Sequence, residues 1–352
     1  MNGQWCRYGE PEEAYGIWDR LRSKARAYRE SIRCFVQEVR TAKGGARIDL
    51  AGRIGLFIPA IASIAIIILV LTFLWYESAP ILTSPEGGAG IILETTWDPN
   101  RDLYGIGIFI AGSFMCTFLA IALAVPLGIG AAIFLSEFCP HRIRSVLRMI
   151  IEMMAAIPSI VYGLWAYVVL VPFIKYQFAP AVQSNPLTAW MPWFSGQSNG
   201  LGLLAGGVIL AIMLLPTVVA VSDDALRSVP NSYREASLAL GATTSETARG
   251  VVLSAAIPGI GAAVILSLGR AVGETMAVLM VTGNSLQIAY SLFDPMYVMT
   301  SIITNQLGYA YTFDLWRSAL FSVALILMLM SILFTAAAKL IIKWGMRTRG
   351  ME

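Results

Sequence analysis

Six long apolar blocks, parted by shorter polar segments, set the pattern of this chain. They run from about Ile54 to Tyr76, Leu103 to Leu135, Met149 to Ile174, Gly200 to Val221, Gly250 to Thr282 and Leu315 to Ile342. Each is long enough for a helix to cross a hydrocarbon core of about 30 Å. The blocks are too long and too apolar for a water-soluble core, so the pattern predicts an all-α integral membrane protein of six spans. Prolines mark expected irregularities. Pro126, with Gly128 and Gly130, predicts a kink or tilt in the second span. Pro158 frees a backbone carbonyl in the third, which a neighbouring helix or Ser159 must satisfy. The stretches Glu77–Asp102, Lys175–Asn199 and Gly283–Asp314 read as loops.

Before the first span the pattern changes. From Trp18 the apolar residues step by three and four through Leu21, Ala25, Tyr28, Ile32, Phe35 and Val39, which is one stripe of a helix. Arg20, Arg22, Lys24, Arg26, Arg29 and Arg33 fill the positions between. The segment 1–53 therefore reads as a basic amphipathic extension, and 54–352 as the membrane domain. Such a helix lies on an anionic lipid surface or packs on a protein partner, and both readings stand. No apolar stretch of a signal peptide precedes it.

Composition agrees with the pattern: 57% of the 352 residues are hydrophobic and 13% charged, against roughly 25% charged in soluble domains. The placement of charge gives orientation. Of the 25 Lys and Arg, 21 fall in segment 1–53, in 136–148, in 223–250 or from Lys339 onward. The positive-inside rule puts both termini in the cytoplasm of a prokaryotic cell. Cys6, Cys34 and Cys139 then face a reducing compartment and Cys116 lies in the membrane, so no disulfide is expected. The chain has no GxxxxGK(S/T) loop, no HExxH, no GxSxG and no cysteine ligand set. It is expected to be a pore subunit and not an enzyme, with no metal, no cofactor of its own and no nucleic-acid partner.

Two segments carry candidate chemistry. In 223–250, Ser232 with Glu235 has capping-box spacing, and the helix Tyr233–Leu240 is expected to stop at Gly241. A second turn can start at Thr244 or Ser245. The segment reads either as an ordinary interfacial loop or as a device that passes movement into the fifth span. In that span, Arg270 and Glu274 are four apart, which predicts one shared helical face. A charge at a span centre costs about 2.5–3.5 kcal/mol on insertion scales, so such residues turn to a bundle interior or an aqueous cavity. They either pair structurally, or Arg270 meets an oxyanion while Glu274 holds it or accepts a proton. Glu152 reads as structural. Ser159 either repairs the proline break or offers a hydroxyl to an anion. His141 has no assigned role, and Asn284 and Asn305 are read as helix caps.

The sequence EASLALGA at 235–242 resembles the EAA loop of ABC-importer permeases, with Glu235, Ala236, Ser237 and Gly241 at the matching positions. Ser237 stands where that pattern has its second Ala, and Leu253-Ser254 where it has Leu-Pro. AAIPSIVYGLW at 155–165 and LGRAVGETMAVLMVTGN at 268–284 are similar to the permease subunits of phosphate ABC importers, of the PstC rather than the PstA type. The resemblance covers about 54–342. It implies a coupling helix that docks on an ATPase and a heterodimer with a PstA-like permease. It also implies a PstB-like ATPase pair that binds ATP and Mg, and a PstS-like phosphate-binding protein on the outer face. In that reading Arg270, Glu274 and Ser159 line the substrate pathway. Two alternatives stay open: a permease for sulfate or molybdate, and a non-transporting scaffold that signals phosphate status through residues 1–45.

Overall fold

The computed structural model describes residues 45–84, 88–185, 190–196 and 198–347. The amphipathic helix expected over Trp18–Val39 lies outside them. Among the described residues, six helices have the length and apolarity to span a membrane: Gly55–Thr83, Gly107–Phe138, Ser159–Ser184, Leu203–Arg227, Thr244–Gly273 and Asp314–Lys343. These are spans 1 to 6. Span 1 belongs to the longer helix Gly45–Thr83. From Leu56 to Leu69 its large apolar side chains are exposed, as a lipid-facing surface requires. The residues from Phe73 onward form one compact unit.

Spans 2 and 4 make the centre of that unit. Small residues let their backbones approach, because lipid tails give apolar side chains no reason of their own to associate. A Cβ added at Gly207 would meet Leu119, and one at Gly128 would meet Val218. The buried layer joins Cys116, Ala120 and Ala124 of span 2 to Leu210, Ala211 and Leu214 of span 4. At one end of the bundle a two-residue hairpin pairs Trp97 with Tyr104 and Asp98 with Leu103. The rings of Trp97, Phe109 and Tyr297 meet edge to face there, with centroids 5.1 and 5.4 Å apart.

Span 1 runs on to Thr83 and span 3 to Ser184, into stretches that read as loops, and span 5 already begins at Thr244. Three further differences bear on the site. Residues His141–Ala155 form a separate amphipathic helix, and span 3 begins only at Ser159. Arg148 draws that helix onto the end of span 4, pairing with Glu152 at 2.8 Å, Asp224 at 2.8 Å and Asp223 at 3.3 Å. Asp223, with only 2% of its side chain exposed, also binds Arg227 at 3.2 Å. A buried carboxylate needs such partners. Glu152 is thus a pairing residue on this helix and lies outside span 3. Second, span 5 stops at Gly273, and a short hook helix, Met276–Val281, follows. Third, the loop after Gly283 contains a helix, Met299–Ala310.

Candidate functional site

The interruption of span 5 brings the first set of candidate residues together. At Gly273 the helix ends and Glu274 takes extended backbone, φ −71° and ψ 128°. Arg270 and Glu274 therefore do not share the helical face that their spacing predicted. Glu274 turns to the hook instead: its Oε1 accepts from Ala277 N–H at 3.3 Å, and its carbonyl accepts from Thr300 Oγ1 at 3.0 Å. These bonds satisfy backbone groups that the break sets free, which a membrane interior demands. Glu274 also borders a small internal cavity with Ser113, Cys116, Thr117 and Thr300. Span 3 lies against the hook through Gly163, where an added Cβ would sit 3.0 Å from Ala277 Cα. A larger residue there would have to push the hook aside.

Arg270 bonds to span 4 instead. Its Nη1 donates to Thr217 Oγ1 of span 4 at 3.3 Å. Among the described residues it has no carboxylate partner. That single long bond leaves most of the guanidinium donors free. Tyr162, one turn beyond Ser159, lies within electrostatic reach of Arg270. The Tyr162 hydroxyl donates to Met154 O at 2.9 Å and so bridges the Pro158 break. Ser159 is the first residue of the span 3 helix and half-buried. On the flank of Arg270, an added Cβ at Gly269 or Gly273 would meet nothing within 4 Å. A half-buried guanidinium with spare donors thus sits next to a helix break and beside open space. Discontinuous helices with this chemistry are a recurrent way to hold a charged solute at mid-membrane.

The second set lies on the surface helix Asn231–Ala239. Pro230 starts it, so Ser232 falls inside the helix and the expected capping box with Glu235 does not form. The box forms one segment later. Thr243 Oγ1 accepts from Glu246 N–H at 3.3 Å, while Glu246 Oε2 accepts from Thr243 N–H at 2.7 Å. The helix ends as expected at Gly241, φ 85°, the left-handed region where glycine carries no Cβ penalty. Gly241 N–H donates to Leu238 O and Ala242 N–H to Ser237 O, the paired bonds of a Schellman turn. Ser237 Oγ lies 2.9 Å from Thr247 Oγ1, tying the helix to the start of span 5. Glu235, Ala236 and Gly241 are exposed, and Leu240 is 90% exposed. Tyr233 and Leu238 of the same segment are exposed as well, and grouped apolar exposure suits a contact surface where a single exposed residue would not.

Sequence reasoning missed Thr217, Tyr162, Arg234 and Glu137. Tyr162 stood inside the motif read at 155–165 without a role. Arg234 and Glu137 are 97 residues apart and form a pair, Nη2 to Oε1, at 2.8 Å. No local pattern announces such a contact.

The model of the family described as binding-protein-dependent transport system inner membrane component matches residues 124–344. The phosphate transport system permease protein PstC of Haemophilus influenzae is 38% identical over 265 residues, covering 75% of this chain and 84% of that protein. PstC of Mesorhizobium japonicum is 39% identical over 254 residues, covering 72% and 77%. In fold, the chain is similar to a bacterial ABC transporter involved in the import of alginate. The TM-score is 0.50 at 12% identity, with 93% of this chain and 98% of that one covered.

Proposed function

This chain belongs to the family of inner-membrane components of binding-protein-dependent transport systems, and we propose that it is one permease half of an ATP-driven importer of inorganic phosphate. The observation that carries the reading is Arg270, whose guanidinium has one bond of 3.3 Å to Thr217 beside the break in span 5. A guanidinium fork matches two phosphate oxygens, and a water-poor site strengthens both bonds. The names of the relatives support phosphate over other oxyanions. Glu274 fixes the hook helix that shapes the site, and Ser159 with Tyr162 lines its span 3 side. A second, PstA-like permease supplies the opposite wall.

The surface helix is the coupling element in this proposal. Glu235, Ala236, Ser237 and Gly241 present it to a PstB-like ATPase, which binds ATP and Mg. Both termini and this helix face the cytoplasm, and a PstS-like binding protein delivers phosphate from outside. Closure of the ATPase pair displaces the surface helices, and the permease pair opens outward. Hydrolysis returns it to the inward state. Each ligand drives its switch only through its preference between the two states.

The test is ATP hydrolysis by the complex purified with its partner subunits. Phosphate-loaded binding protein should accelerate hydrolysis, and sulfate or molybdate should not. Failure of the ATPase to co-purify, or equal acceleration by the other oxyanions, would overturn the reading.

A further inference from the structure

We propose that the Arg234–Glu137 pair is the rivet through which span 2 follows the surface helix, so that Arg234 is a positioning residue for energy coupling. The inference rests on the docking role given above to Asn231–Ala239. The geometry is a fork. Arg234 Nη2 donates to Glu137 Oε1 at 2.8 Å, and Nε donates to Oε2 at 3.2 Å. The same guanidinium donates to Val229 O at 2.7 Å and to Leu226 O at 2.9 Å. Glu137 accepts a further bond from Ser136 Oγ at 2.9 Å. The two side chains are 19% and 8% exposed. A pair this enclosed adds little net stability, because desolvation offsets the attraction, but it fixes one relative placement of the elements it joins.

The placement matters because of what the backbone does not join. The surface helix connects to span 4 through Ser228–Pro230 and to span 5 through Leu240–Thr243. Ser237 and Thr247 reinforce the second connection. No stretch of chain leads from it to span 2. Among the described residues, Arg234 and Glu137 supply the direct polar link between the two. Glu137 stands in the π-helical turn Phe134–Phe138 that closes span 2, and span 5 opens with another such turn, Thr247–Val252. Wider turns of this kind interrupt the regular ladder and cluster at functional positions. They give both span ends local freedom to yield. With the fork in place, a displaced surface helix draws spans 2, 4 and 5 together. Ala132 and Leu135 of span 2 also pack on Leu226, Val229 and Val252, but those apolar contacts are non-directional; without the fork the end of span 2 is free to slip against the surface helix.

The test uses the full complex with its ATPase, partner permease and binding protein in proteoliposomes. Arg234→Lys keeps the charge and loses the fork. Glu137→Gln keeps the shape and loses the charge. The readout is phosphate taken up per ATP hydrolysed, which a merely structural contact would not move once the complex has assembled. Each variant should lower that ratio about tenfold, within the usual span of coupling between sites. The double variant should lose no more than either single one, because both remove the same link. A wild-type ratio in either variant, losses that multiply in the double variant, or failure of both to assemble would overturn the proposal. If the wild-type complex hydrolyses ATP and moves no phosphate, the transport reading itself falls and takes the rivet with it.

Discussion

Replacing Arg270 with Gln removes the one charge that the proposal asks to meet phosphate. In the structure this costs the protein little, since the guanidinium has a single bond of 3.3 Å to Thr217. Loss of such a bond is worth about 1 kcal/mol, so the complex should still assemble. The loss on the substrate side is larger. A fork on two phosphate oxygens supplies two charge-assisted bonds of about 1.5–3 kcal/mol each. The Gln amide recovers about 1 kcal/mol of this, leaving a net loss of about 2–5 kcal/mol. That corresponds to a fall of roughly thirty- to several-thousand-fold. Arg270→Lys keeps the charge without the fork and should lose about tenfold. The assay is the initial rate of ATP-dependent uptake of radiolabelled phosphate into proteoliposomes, with subunit composition checked on the same sample. An Arg270→Gln complex, intact and within about twofold of the wild-type rate, would refute the reasoning.

Three further outcomes are expected. Asp223→Ala takes a buried carboxylate from Arg148 and Arg227, which are both about a third exposed, and Arg148 keeps Glu152 and Asp224, so it should destabilise the chain by about 1–2 kcal/mol in thermal unfolding; an unchanged melting temperature would contradict the role given to that cluster. Gly163→Val drives a side chain into Ala277 and Met280 of the hook, and should cost about 1–3 kcal/mol while displacing the hook helix that follows the break in span 5. Full uptake by that variant would show that the hook position is immaterial. Leu240→Asp, at a site 90% exposed, should leave the fold intact and remove an apolar anchor worth about 2 kcal/mol from the ATPase contact. Co-purification of the ATPase at wild-type yield would rule that contact out.

The sequence made the spans legible because long apolar blocks have few other uses, and each expected block contains one of the six observed spans or most of it. Their limits were less legible, for reasons the structure makes physical. Met149–Ile157 is apolar enough to extend a span. Yet Ile143, Val146, Ile150 and Met153 form an exposed stripe opposite Arg148, and the helix they make is amphipathic. Pro158 was the visible sign of the break. At Arg270 and Glu274 the spacing suggested a continuous helix, and the local bond from Ala277 with the tertiary bond from Thr300 reveals that Glu274 belongs to the hook. The stop at Gly241 was readable because a left-handed residue after a helix has few alternatives to glycine. The capping box was misplaced by one segment because Ser232–Glu235 and Thr243–Glu246 carry the same spacing. Pro230 decided between them by opening the first helix before Ser232. Arg234 and Glu137 were hidden by sequence distance alone.

The most direct test of the central claim is uptake of radiolabelled phosphate by the reconstituted complex, with ATP inside or outside the vesicles and with sulfate and molybdate as competitors. Saturable, ATP-dependent accumulation that resists both competitors is the result predicted. Accumulation of a competitor in place of phosphate, or no uptake by an assembly that hydrolyses ATP, would contradict it.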